Sequence, residues 1–186
     1  AQGVDPYYLM DQAAAKVPVG ANRLLYLPYL MGERTPHLDP DCRGVFFGLS
    51  AIHKKADLIR AVLEGVAFSL KDCQRIIDEM GVPVSEMMAC GGGGTSKLWR
   101  QMLADLYGCG VNTLSTNQGG ALGAAILAGV AAGLYSDVPS ACDRFIHVKE
   151  TCMPIPDEQT QYAAFYPLYR SLYDALKDRF QDLAKL

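Results

Sequence analysis

The sequence predicts an α/β fold with parallel strands, and three observations carry that expectation. From Lys55 to Met80 apolar or small residues recur with a helical period (Leu58, Ala61, Val62, Gly65, Phe68, Cys73, Ile76, Ile77, Met80), opposite Asp57, Arg60, Lys71, Asp72, Asp78 and Glu79. A short apolar run, Met87–Cys90, then enters four glycines, Gly91–Gly94, and helix resumes at Ser96. Beyond Tyr107 the pattern alternates again, with a strand over Val111–Leu114 and a helix over Gly120–Ala132. Helix, strand, glycine turn, helix, strand, helix is the alternation of an α/β lobe.

The remaining elements follow from local signals. Tyr7–Val17 reads as a short helix ended by Pro18 and Gly20. Leu24–Leu27 is a compact apolar run suited to a buried strand, stopped by Pro28. A polar loop follows over Gly32–Arg43, with Pro36 and Pro40. Val45–Phe47, β-branched and aromatic between Gly44 and Gly48, reads as a strand. The long helix has Gly81 as its cap and Pro83 to prevent continuation. The helix from Ser96 to Tyr107 ends at Gly108. After Pro156 a terminal helix runs from Gln159 to about Leu183, with Tyr162, Phe165, Tyr166, Tyr169, Leu172 and Leu176 along it.

Composition narrows the function classes. A chain of 186 residues, 50% hydrophobic and 20% charged, is long enough for one well-buried domain or one lobe of a larger enzyme. The net charge of -3 offers no electrostatic case for nucleic acid or an anionic membrane. The richest apolar stretch, Ala121–Leu134, is broken by Gly123, Gly129 and Gly133, so no membrane span is expected. Ala1-Gln2-Gly3 opens no secretory signal, and the absence of an initiator Met hints at residues upstream. Six cysteines occur without Cys-x-x-Cys spacing, and His37, His53 and His147 are scattered among them. That pattern predicts reduced thiols in a cytoplasmic protein and no metal site.

The glycine run has two readings. Without Cβ atoms the backbone can lie against a nucleotide, and the following helix start presents free N–H groups to negative charge. The same four glycines also serve as a tight strand-to-helix connection. Two phosphate-binding motifs are excluded by spacing. A Walker-A loop needs Gly-Lys-Ser/Thr, whereas Gly94 is followed by Thr95-Ser96-Lys97. A dinucleotide fingerprint needs glycine where Ser96 stands, and an acid after the next strand that Val111–Thr116 lacks.

Four segments, in order, resemble the FGGY carbohydrate kinases, C-terminal lobe. Leu27-Pro28-Tyr29-Leu30-Met31-Gly32-Glu33-Arg34-Thr35-Pro36-His37 is similar to the Gly-Glu-Arg-Thr-Pro loop of the family's xylulokinases. Arg43–Leu49, His53 and Leu58–Ala67 resemble the second family signature. Gly91–Gln101 with Ala104-Asp105 resembles the adenosine loop and the helix after it, and Ala121-Leu122-Gly123-Ala124-Ala125 resembles the closing helix. The likeness spans about Leu24 to Tyr135.

That resemblance implies a ribonuclease H-like, actin-like ATPase lobe that closes with a second lobe over ATP and sugar. It implies transfer of the γ-phosphoryl of ATP to the 5-hydroxyl of D-xylulose, with Mg²⁺, and ATP, ADP and a pentulose as partners. It places the base aspartate, the sugar-contacting residues and the lobe's first antiparallel strands upstream of Ala1. Asp5 lacks the Gly-x-x-Asp-Asn context of that base, so no catalytic residue is expected in this chain, which alone should be inactive. Carried over by position, Gly92 and Ser96 are expected to contact the adenosine side of the nucleotide, flanked by Gly91 and Gly93. Ser96 also suits a helix N-cap.

Glu33 and Arg34 either face the cleft, where Arg34 would meet phosphate charge, or only shape their loop. Structural roles are expected for His37, His53, for Glu64 with a partner, and for Trp99 in the core. Asp105 is expected on the helix surface or at the other lobe. Residues 1–186 are expected to form one nucleotide-binding domain, with the terminal helix, 157–186, packed on it. The N-terminal lobe and a second copy of the chain are candidate partners. The alternatives are another kinase of the family, namely ribulokinase, gluconokinase or glycerol kinase, and a non-catalytic actin-like nucleotide-binding module.

Overall fold

The computed structural model describes residues 3, 5–116 and 119–186. Helix α1, Pro6–Ala14, starts where the Asp5 carboxylate accepts the Tyr7 N–H at 2.9 Å and Pro6 supplies a preset φ. It stops short of the expected Val17. The chain leaves it for a turn whose residues Ala21, Asn22 and Arg23 all have positive φ. Strands β1 (Leu25–Leu27) and β2 (Val45–Phe47) pair antiparallel, Tyr26 opposite Phe46. All three residues of β1 are buried, the reason its sequence is a continuous apolar run and not an alternating one.

Helix α2, Lys55–Glu79, is the frame of the molecule. Its start is fixed by Asp57, whose carboxylate accepts the Lys54 N–H at 2.7 Å and the Asn22 amide at 2.7 Å. Its end is fixed by Gly81 at φ +77°, with the Val82 N–H reaching back to the Ile77 carbonyl. Gly65 lets α2 lie on β1, since a Cβ there would stand 2.1 Å from the Tyr26 carbonyl oxygen.

Strand β3 (Glu86–Met88) and strand β4 (Gly110–Leu114) are parallel, joined through a single 3-10 turn, Gly93–Thr95, and helix α3, Lys97–Tyr107. Helix α4 (Gly119–Ala131), helix α5 (Val138–Phe145) and strand β5 (Val148–Cys152) follow. β5 pairs antiparallel with β4, Val111 opposite Cys152. Among the described strands, parallel pairing is therefore confined to β3 and β4. One intervening helix brings a strand back parallel, whereas the two helices α4 and α5 return the chain to the end it left. Helix α6, Pro156–Leu183, crosses over α2 and α3. Its face of Tyr162, Tyr169, Leu172 and Phe180 closes the main core with Phe68, Met102, Leu103, Val111 and Leu27.

The acid anchor at the start of α2 has a pH consequence. The Lys54 N–H, with Asn22 adding, holds the Asp57 carboxyl below its ordinary value against the opposing effect of burial. A folded pKa below the unfolded one means stability that is present above about pH 3.9 and lost as pH falls through the folded value. Asp57→Asn is expected to flatten the acid limb of a urea-midpoint-against-pH curve. A limb of unchanged slope would refute the assignment.

Candidate functional site

The glycine turn is built by its neighbours, and each glycine has a distinct reason to be there. The Ala89 N–H donates to the Asn112 carbonyl at 2.8 Å, carrying the β3–β4 pairing up to the turn. Gly91 then adopts φ +73°, a left-handed conformation that side chains resist. A Cβ on Gly93 would lie 2.6 Å from the Trp99 ring, and one on Gly94 would lie 2.8 Å from the Ala89 carbonyl oxygen. Gly92 differs. It has an ordinary φ of -60° and ψ of -45°, and nothing lies within 4 Å of where its Cβ would be. No conformational or packing demand among the described residues explains glycine at that position.

Ser96 is the N-cap of α3, its hydroxyl accepting the Trp99 N–H at 3.1 Å. Trp99 is half-buried and gives its indole N–H to the Leu63 carbonyl at 3.1 Å, which ties α3 to α2 and keeps the ring in the core. One turn on, Arg100 is buried and donates to the Gly94 carbonyl at 2.9 Å and to Glu150 at 2.5 Å. The bend is thereby fastened to β5 through a charged side chain.

Beside the turn lies a cavity of about 550 Å³, within the size range of small-molecule sites. It opens at the carboxyl ends of β3 and β4, where open α/β sheets place their ligands. Its floor is Ala89, Cys90, Gly91, Leu114 and Thr116, one wall is Gly119, Gly120, Leu122, Gly123, Ile126 and Leu127 of α4, and Val138, Cys142 and Ile146 close it. Among the described residues none of these is charged, so the space suits a flat, weakly polar group better than a phosphate. Gly119, Gly120 and Gly123 again have nothing within 4 Å of an added Cβ. Gly119 and Gly120 open α4 and Gly123 lies inside it, where glycine is about 1 kcal/mol less favourable than alanine, and these three leave the helix backbone bare toward the cavity.

The expected site residues are therefore divided. Gly91 lines the cavity, whereas Gly92, Gly93 and Ser96 do not, although Gly92 follows Gly91 directly and is exposed. Glu33 and Arg34 are elsewhere. Glu33 accepts the N–H groups of Arg34 and Thr35 at 2.8 and 2.9 Å, and its backbone pairs with Asp39. Arg34 is exposed. The loop that carries them is pinned to α6, since His37 stacks on Tyr173 at 3.6 Å and the Tyr173 hydroxyl donates to Asp39 at 2.9 Å. Burial there lowers the His37 pKa below its ordinary value.

Asp105 departs from expectation. It is buried, accepting the Ile155 N–H at 2.7 Å and the Gln101 amide at 2.9 Å, so it fastens the start of α6 and does not face outward. Glu64 has its partners, taking the Gly20 N–H, the Arg60 guanidinium and the Tyr162 hydroxyl. The described residues contain no cluster of three His, Cys, Asp or Glu side chains able to hold a metal ion.

Sequence reasoning missed the α4 and α5 walls. The signal available for α4 was Gly123, a poor choice inside a helix unless something must come close, with Gly119 and Gly120 at the helix start beside it. For α5 there was none.

A model of the FGGY family of carbohydrate kinases, C-terminal domain, matches residues 2–132. The xylulose kinase of Staphylococcus epidermidis is 39% identical over 170 residues, covering 91% of this chain and 34% of that protein. The gluconokinase of Bacillus subtilis is 36% identical over 183 residues, covering 98% of this chain and 36% of that protein. The crystal structure of ligand-bound xylulose kinase from Lactobacillus acidophilus superposes with a TM-score of 0.85 at 34% identity, over 94% of this chain and 35% of that one. The chain thus spans about a third of the length of the curated relatives it matches.

Proposed function

The chain belongs to the FGGY family of carbohydrate kinases and has their actin-like C-terminal fold, and on that footing we propose that it supplies the nucleotide site of an ATP-dependent sugar kinase acting on D-xylulose. Residues 1–186, the helix 157–186 included, serve as one nucleotide-binding domain. The nucleoside of ATP lies in the cavity between the glycine turn and α4, with its phosphates leaving past Gly92. Phosphoryl transfer to the 5-hydroxyl of the sugar belongs to the whole protein, together with an N-terminal lobe and its catalytic base. So does pairing between copies and a cytoplasmic location. No helix of the described residues is long and apolar enough to cross a membrane.

One observation carries this reading. Gly92 is an exposed glycine for which the described residues give no cause, directly after Gly91, which lines a cavity walled by more bare glycine backbone. A ligand pressing on that backbone supplies the cause. Mg²⁺ would accompany the phosphates. The cavity offers it no carboxylate among the described residues, so no step is assigned to it here.

Gly92→Ala separates ligand contact from folding. A compatible glycine-to-alanine change leaves stability equal or raises it by about 0.4–1 kcal/mol. Affinity for an ATP analogue is expected to fall about tenfold, some 1.4 kcal/mol. Unchanged affinity would remove the turn from the site. For the sugar, turnover of the intact protein with D-xylulose, D-gluconate, ribulose and glycerol decides. Gluconate is the second reading, favoured by the Bacillus subtilis gluconokinase, whose match covers nearly all of this chain.

A further inference from the structure

Two thiols share the cavity. Cys90 follows β3 and is exposed beside Gly91, while Cys142 reaches the same space from α5 and is half-buried. The other four cysteines are otherwise placed. Cys42 is buried and donates to the Asp39 carbonyl at 3.2 Å, and burial pushes its thiol up to about 11. Cys73 faces the Thr35 carbonyl at 3.7 Å and is likewise raised by burial. Cys109 and Cys152 are buried, and burial raises Cys109 as well. Of the six, Cys90 and Cys142 are the two that line the cavity, where a small disulfide has access to both.

We propose that Cys90 and Cys142 form a thiol-modification site inside the nucleotide cavity, where a mixed disulfide with a small disulfide and a bound nucleotide exclude one another. The proposal rests on the reading of the cavity as the nucleoside site. Either cysteine thiolate attacks one sulfur of the small disulfide. A new S–S bond forms to the protein, the old S–S bond breaks, and the departing thiolate takes up the proton that the cysteine released. The protein sulfur is oxidised and half of the small disulfide is reduced, so no further oxidant is needed. A tripeptide adduct on either thiol competes for the space of about 550 Å³ in which the nucleoside is read to lie. Two thiols contributed by separate elements mean that modifying either one suffices.

The test treats the intact protein with oxidised glutathione and maps adducts by mass, with and without ADP. A separate titration with a fluorescent ATP analogue measures nucleotide binding. The expected result is adducts on Cys90 and Cys142, formed about tenfold more slowly at ADP ten times above its Kd. The double variant Cys90→Ser, Cys142→Ser is expected to take up no adduct. Adducts on the other cysteines at comparable rate overturn the inference. Nucleotide that binds in the titration yet leaves the labelling rate unchanged also overturns it, while the nucleotide reading stands. Absence of nucleotide binding sinks both together.

Discussion

Replacing Glu64 by alanine is expected to destabilise the chain by about 3–5 kcal/mol, the range for breaking a buried ion pair from one side. Glu64 and Arg60 are both buried on α2, their side chains 2.6 Å apart at the closest atoms. The same carboxylate oxygen takes the Gly20 N–H at 3.1 Å and the Tyr162 hydroxyl at 3.1 Å, and Tyr162 also accepts from Arg60 at 2.8 Å. Alanine would leave a guanidinium in the core with only a phenol oxygen to meet it, and would release the turn before β1 and the start of α6 together. Tyr162→Phe removes one arm and keeps the ion pair, so its expected cost is nearer 1 kcal/mol. Urea unfolding of the three proteins checks the order. A Glu64→Ala loss below that of Tyr162→Phe would mean the carboxylate is not the hub.

The second large effect is expected at Arg100. Hydrogen bonds to a charged group are worth about 1.5–3 kcal/mol each, and Arg100→Ala removes one to Gly94 and one to Glu150. Because Glu150 is half-exposed and can return to water, the Gly94 carbonyl carries most of the loss, and about 3 kcal/mol is expected in all. Affinity for an ATP analogue should fall as well, since the bend that Arg100 fastens forms the rim of the cavity. Arg100→Lys is expected to rescue little, because one ammonium cannot reproduce the two-pronged geometry. Glu150→Gln, by contrast, should stay within about 1 kcal/mol. Wild-type affinity in Arg100→Ala would show that the turn holds its shape unaided.

The strongly periodic parts of the chain were legible. α2, α3 and α6 lie close to where apolar spacing, Ser96, Gly81 and Gly108 put them. β1 was readable as a buried run because all its residues face protein. β5 was not, since Val148, Lys149, Glu150 and Thr151 are all exposed and an edge strand needs no apolar face. α5 is eight residues long, with only Ala141 buried, and so leaves hardly a period to detect. The antiparallel direction of β5 could not be anticipated while α5 was unseen, because counting helices between strands is what sets direction. At the candidate site the glycine turn was found, but Arg100 was not. A buried arginine on an amphipathic helix looks, in sequence, like any solvated one. Asp105 misled for the same reason.

One feature of α6 reaches further than its packing. Five carboxylates are buried among the described residues, and four of them find a donor between positions 155 and 173: Asp105 at Ile155, Glu64 at Tyr162, Asp72 at Tyr166 and Asp39 at Tyr173. The stretch matched by the family model ends at residue 132. Expressed by itself, that stretch would lack one donor for each of these four acids, so the end of the family match and the boundary of cooperative folding fall in different places.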